Sequence, residues 1–196
     1  MEQSVKKKKK PHWVDEHLVP LDTPKRIIAK ARTYATPQEA WDDWDTGIDM
    51  LWMLSQTKAD RTKTIHCLCD IAERVLPIFE KTYPEDKRPR EAIEAARQYA
   101  DSKHIDPFGS YFAAHNAAHS AYNSGHTVAA YAALAATHTA AYIVGGATHN
   151  DLAVANLAIS TFEYTARNAE DQAHAEIIRR YFPEAPKKPT IRKTNE

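Results

Sequence analysis

Between Gly109 and Asn150 the sequence has no aspartate, glutamate, lysine or arginine. A soluble chain leaves charge out of so long a stretch where that stretch is buried, so these residues are expected inside the fold. Glycine is scarce as well: five, against eleven prolines, which argues against a turn-rich all-β fold. Cysteine is limited to Cys67 and Cys69. On a helix, residues two apart point about 200° apart, so the pair is expected neither to bridge nor to share a metal. Two reduced thiols suit a cytoplasmic protein. No apolar run follows the basic N-terminus, so nothing reads as a signal peptide. The uncharged window Thr127–Ala147 has the length of a membrane span. Its alanine content, with His138 and threonines near its centre, argues against one. The chain also lacks a Gly-x-Ser-x-Gly elbow, a glycine-rich phosphate loop and a His-Glu-x-x-His pair. His66 and Cys67 are adjacent and diverge by about 100° on a helix, so they make no thiol–imidazole pair. Without these signatures the chain is expected to be non-catalytic.

A chain of 196 residues fits one domain with a sizeable core. Its net charge is zero but unevenly placed. One Glu and five Lys lie in residues 1–10, and two acids against four bases lie in 183–196, so the body between carries −6. An acidic body does not favour nucleic acid, leaving only the Lys6–Lys10 run as a basic contact. Residues 1–11 are expected to be a disordered polybasic tail, 12–182 one all-α domain, and 183–196 a second tail.

The body reads as six or seven mostly antiparallel helices in one bundle, with no strand. Thr36-Pro37-Gln38-Glu39 is a capping box with proline in the first turn. Behind it Trp41, Trp44, Ile48, Leu51 and Trp52 recur at helical steps, with Gly47 inside the run expected to break or kink it. A helix over 62–82 is expected to bend or stop at Pro77. Pro89 restarts a helix with Ile93, Ala96 and Ala100 on its apolar side. Asp106-Pro107 opens another, which Ser124-Gly125 ends. The next runs from about Thr127 to Val144. The last is read from Leu152 to Tyr181. Alanine lets helix axes approach to about 8 Å, so the helices from Pro107 onward are expected to form the tight centre.

The polar side chains of the uncharged segment are the candidate site. His115 and His119 are four apart and share a helix face with Phe112 and Tyr122. His138 lies on the stripe Val128, Tyr131, Ala135, His138 and Tyr142 of the next helix. If the histidines converge, they are candidate zinc ligands. With Tyr111, Tyr122, Tyr131 and Tyr142 they are candidate ligand-binding residues of a polar-edged pocket. No acid within the segment completes a metal set, and no cofactor is expected. Trp41 and Trp44 are either core or anchors for a partner. Arg88, Arg90 and Arg97 form either a salt-bridged surface, with Glu94 pairing Arg90 and Arg97, or a patch for an acidic partner.

Three stretches carry a family resemblance: Thr36–Trp41 with Asp49–Leu54, Cys69–Glu80, and above all Asp86-Lys87-Arg88-Pro89-Arg90-Glu91-Ala92-Ile93-Glu94-Ala95-Ala96-Arg97. Here the chain resembles the Imm-5-like immunity proteins of bacteria and phages. The alanine- and histidine-rich half resembles that family in composition only. The resemblance implies a protein that binds and neutralises a protein partner, a toxin or a defence component. It carries over no catalytic residue. The alternative from another class is a helical protein that sequesters a small molecule or a metal in a His/Tyr-lined pocket. A homo-oligomer is compatible with either.

Overall fold

Alanine and the large apolar residues divide this molecule between them. The computed structural model describes residues 11–21, 23–57, 59–102, 108–145 and 164–187. The tail Lys6–Lys10 and the start of the expected last helix, from Leu152, lie outside them. Among the described residues there are nine α-helices, one 3-10 turn and no strand. The helices are α1 (Trp13–His17), α2 (Lys25–Ala31), α3 (Pro37–Asp43), α4 (Gly47–Ser55), α5 (Arg61–Thr82), α6 (Arg88–Ser102), α7 (Phe108–Asn123), α8 (Thr127–Gly145) and α9 (Tyr164–Tyr181). The class is all-α as expected. The helix count is higher because the N-terminal third is cut into short pieces.

Local chemistry explains the boundaries. Glu39 donates its amide to Thr36 Oγ1 at 3.1 Å, and its carboxylate accepts from the amide of Ala35 at 3.0 Å. The capping box therefore closes one residue earlier than its usual form. Asp60 caps α5 by accepting from the Lys63 amide at 2.9 Å. Helix α7 ends on Gly125, whose φ of 81° only glycine adopts easily. There the amides of Gly125 and His126 return to the carbonyls of Tyr122 and Ala121, a Schellman turn. Helix α5 runs through Pro77 to Thr82, so of the expected bend or stop the stop does not occur. Pro77 is exposed and near the end, so the missing amide and the ring cost little there.

Helices α5 to α8 pack on one another as a bundle. Helix α7, through Ala114, Ala117, Ala118 and Ala121, packs on α8 and α6, and α8, with Ala129, Ala130, Ala132, Ala133, Ala135 and Ala136, also packs on α5, all these alanines being essentially sealed. Methyl side chains permit this close approach. The tight centre thus includes α5 and α6 as well as α7 and α8, whereas α9 packs outside, on α4 and α5. The bulky core lies towards that end: Trp41, Trp44, Ile27, Met50, Leu51, Leu68 and Ile178 are fully buried.

Between α3 and α4 the chain breaks at Trp44–Thr46, and α9 holds both broken ends. The Arg179 guanidinium donates to the carbonyl of Trp44 at 2.6 Å and that of Trp41 at 3.3 Å, where the dipole of α3 is negative. Asp171 accepts from the Ile48 amide at 3.0 Å, at the positive start of α4. Thr46, at the capping position itself, makes no such bond. Gly47 lets this contact close: a Cβ there would lie 2.4 Å from Cβ of His174 and 3.0 Å from the α9 backbone. The backbone cannot yield as a flexible side chain would. Gly47→Ala is therefore expected to lower stability by about 1–3 kcal/mol in chemical denaturation. Gly109→Ala, at a position with nothing within 4 Å, is expected to be neutral or slightly stabilising. Equal effects at the two sites would show that α9 does not seat on Gly47.

Candidate partner-binding face

Helix α7 places its small residues inward and its large ones outward. Phe108, Phe112 and Tyr122 are 45%, 48% and 58% exposed, against 1% or less for the four alanines opposite. The rings touch along the helix. Phe108 and Phe112 are 4.8 Å apart between centroids, Tyr111 and Phe112 5.0 Å, Tyr111 and His115 6.0 Å, and His115 and His119 4.7 Å. Exposed Asn116, Ser120 and Asn123 complete the face, and Val128 at the start of α8 is also exposed. The uncharged segment is therefore only half interior. Its alanine side is buried as expected, but the side with His115, His119, Phe112 and Tyr122 faces outward. Both sides count as apolar in the sequence, so the pattern alone does not say which one turns in.

This face stands on a fixed base. The Tyr83 hydroxyl bonds His126 Nδ1 at 2.6 Å, with the rings edge to face at 5.5 Å. That contact ties the α7–α8 turn to the end of α5. Tyr111 packs on a small cluster of Ala92, Ala114 and Ala140, which fixes the other end.

The other candidates separate. His138 and Tyr131 lie half-buried on α8, and the side chain of Tyr142 lies outside the described residues. Among the described residues no three His, Cys, Asp or Glu side chains gather as a metal set. His115, His119 and His138 therefore do not converge on one ion, because the first two point away from the interface that α8 fills.

Trp41 and Trp44 are 1% and 0% exposed, packed within the chain rather than displayed on its surface. The arginines are held by acids of other elements, not by Glu94. Arg90 pairs with Glu80 through two bonds of 2.6 and 2.8 Å. Arg97 bridges Asp70 at 2.8 Å and Glu73 at 2.7 Å, and Arg88 folds back on Asp86. Asp70 also accepts from Tyr181 at 2.8 Å. Burial, with Asp70 beside it, pushes the Tyr181 hydroxyl up to about 12. These pairs staple α6 and α9 to α5. Cys67 and Cys69 form no disulfide and are buried, and burial raises the Cys69 thiol to about 12, so it is not a nucleophile.

Sequence reasoning missed a buried polar cluster under α9. Glu170 accepts from Arg74 at 2.8 and 2.9 Å and is bonded to His174 Nε2 at 3.0 Å. Asp49, nearby on α4, is buried against Arg26. Burial pushes the Glu170 carboxyl up, but the bonds from His174 and Arg74 outweigh it and hold it at about 2. Burial raises Asp171 and Asp49 above the usual carboxylate range. His174 is fully enclosed, so the Glu170–His174 pair meets no substrate and serves packing. The only hint in the sequence is an acid and a histidine four apart among alanines.

The family model described as "Imm-5 like putative immunity protein" matches residues 55–184. That span takes in α5 to α9 and the whole outer face of α7, and leaves Thr36–Leu54 outside it. No curated protein and no solved structure matches the chain.

Glu170 gives the pH dependence a sign. Its folded pKa of about 2 lies below the ordinary 4.5. Its stabilisation is therefore complete above pH 4.5 and lost as pH falls towards 2. Asp49 and Asp171 act in the opposite sense, because their raised values make protonation favour the folded state. Urea unfolding is expected to show the native protein losing up to about 3 kcal/mol more than Glu170→Gln between pH 5 and pH 2. Parallel acid slopes for the two proteins would remove Glu170 from that account.

Proposed function

The chain belongs to the Imm-5-like immunity protein family, and we propose that it binds and neutralises a protein partner, a toxin or a defence enzyme, through the outer face of α7. The observation that carries this reading is the inverted helix: aromatic and imidazole rings outside, alanine inside, and no charge on either side. A face kept only for solubility would carry lysine and glutamate. This face carries the composition of an interface core, where charge is depleted and aromatic rings supply the contact area. An uncharged surface spares a complex the cost of stripping water from ions. Rings already packed on one another lose little freedom on binding.

The rest of the molecule supports a binding role without chemistry. The arginines, the buried acids and His174 are committed to one another, and the thiols are sealed. Among the described residues no helix is long and apolar enough to cross a membrane. Two cysteines outside any disulfide are consistent with action in the cytoplasm. A homo-oligomer through the same face would compete with the partner for it.

Native mass spectrometry of the untagged protein, isolated gently from its own host, tests the proposal. The expected result is added mass from a second protein. Phe112→Asp with Tyr122→Asp should weaken that complex by at least about a hundredfold, as loss of two central anchors does. Arg88→Ala should leave it intact. Retention of the partner by the double variant would move the interface elsewhere.

A further inference from the structure

The N-terminal helices hold a second feature, independent of α7 and outside the span that matches the family model. All four tryptophans of the chain, Trp13, Trp41, Trp44 and Trp52, line one cleft with Pro37, Leu18 and Met53. One side of the wall is the chain's own segment Ala185, Pro186 and Lys187. Only about 30 Å³ beside that segment stays unfilled. A larger cleft of about 620 Å³ continues under the same segment, between Asp60, Lys63 and Tyr181. Residues 183–187, expected to belong to a tail, therefore lie against the body.

The way this segment is held is specific. The Trp41 indole donates to the carbonyl of Phe182 at 2.7 Å. The side-chain amide of Gln38 donates to the carbonyl of Pro183 at 3.0 Å and accepts from the amide of Ala185 at 2.8 Å. Its second N–H goes to Asp42 at 2.7 Å. With one acceptor and two donors all engaged, Gln38 can adopt only one amide orientation, and Asp42 is the positioning residue that sets it. Each of these bonds to the segment reads its main chain. Tryptophan walls that receive a proline-bearing segment outside any helix, with polar side chains reading its backbone, resemble the aromatic-lined grooves that recognise proline-rich peptides.

We propose that α1, α3 and α4 form a binding groove for a proline-bearing peptide of the pattern aromatic-Pro-x-Ala-Pro. The chain's own Phe182-Pro183-Glu184-Ala185-Pro186 is its resident occupant, and a partner's segment of the same chemistry takes its place in trans. The hydrogen bonds do not depend on which molecule supplies the backbone. The position of Ala185 must keep its N–H, so proline is excluded there. In cis the segment has the advantage of tethering, which multiplies its effective concentration, so the groove in the intact chain is largely self-occupied.

The test uses the full-length chain and a synthetic peptide with the sequence of residues 181–188, titrated by calorimetry and tryptophan fluorescence. Ala185→Pro removes the N–H that Gln38 accepts and frees the groove. Pro186→Asp frees it independently by placing a charge against the tryptophans. Both released proteins should bind the peptide at least about tenfold more tightly than the native chain. Adding Gln38→Ala to either should weaken binding about tenfold, the worth of two neutral hydrogen bonds. A peptide carrying proline at the position of Ala185 should not bind. Equal affinity for native and released chains would place the peptide elsewhere and overturn the proposal. Absence of binding in both released chains with their helix content intact would also overturn it. Unfolding of both would mean that the segment is part of the core and not an exchangeable occupant, which is a third contradiction.

Discussion

The distance at which alanine lets helices meet is the constraint on which this structure depends. Helices α6, α7 and α8 bring mainly methyl groups to their shared interfaces. The backbones can approach closely, and no space remains between them for a larger side chain. The aromatic and imidazole residues of α7 therefore have only the outer side available. What would be the buried face of an ordinary amphipathic helix, rich in Phe and Tyr, is here displayed to solvent. The proposed interface follows from this constraint: the same alanines that stabilise the bundle push the contact rings out and hold them on a stiff base.

The opposite end of the molecule is built on other physics. There large apolar side chains fill the interior, and charges on α9 complete helix ends that the local sequence leaves open. Arg179 serves the carbonyls at the end of α3, and Asp171 serves the amides at the start of α4. Neither helix is long enough to be stable alone. Their order depends on α9 seating against Gly47, with Glu170 bonded to Arg74 and His174 beneath it. The groove for the C-terminal segment rests on that end, so its geometry depends on the same docking. The two proposed binding surfaces thus belong to separately stabilised parts of one fold.

Much of the fold was legible because it is written in local chemistry. Thr36 and Glu39 announced the start of α3, Gly125 the end of α7, and the periodicity of Ile65, Leu68, Ala72, Val75 and Phe79 the length of α5. Signals that depend on a partner element were not legible. Arg90 and Arg97 have Glu94 within reach on their own helix, yet choose Glu80, Asp70 and Glu73 on α5, because packing brings those acids closer. Pro77 was read as a bend or a stop, and its exposure, which leaves the freed carbonyl to water, is why the helix does not stop there. Gly47 was read as a break or a kink, and of the two the chain breaks, just before it; the close approach of His174, from more than a hundred residues away, lies in the tertiary structure. The candidate site was half legible. The grouping of His115, His119, Phe112 and Tyr122 on one face was correct, and its direction was not, since Ala and Phe are equally apolar in a pattern. The Gln38 contact was invisible, because reading a backbone requires no particular residue in the segment that is read.

Photo-crosslinking in the host cell tests the central claim most directly. A benzophenone amino acid at position 112 or 119, on the outer face of α7, is compared with one at Gln98 on the exposed side of α6. The account predicts one crosslinked protein, the same from positions 112 and 119, and none from position 98. A product from position 98 with none from α7 would contradict it and place the partner on a different surface of the bundle.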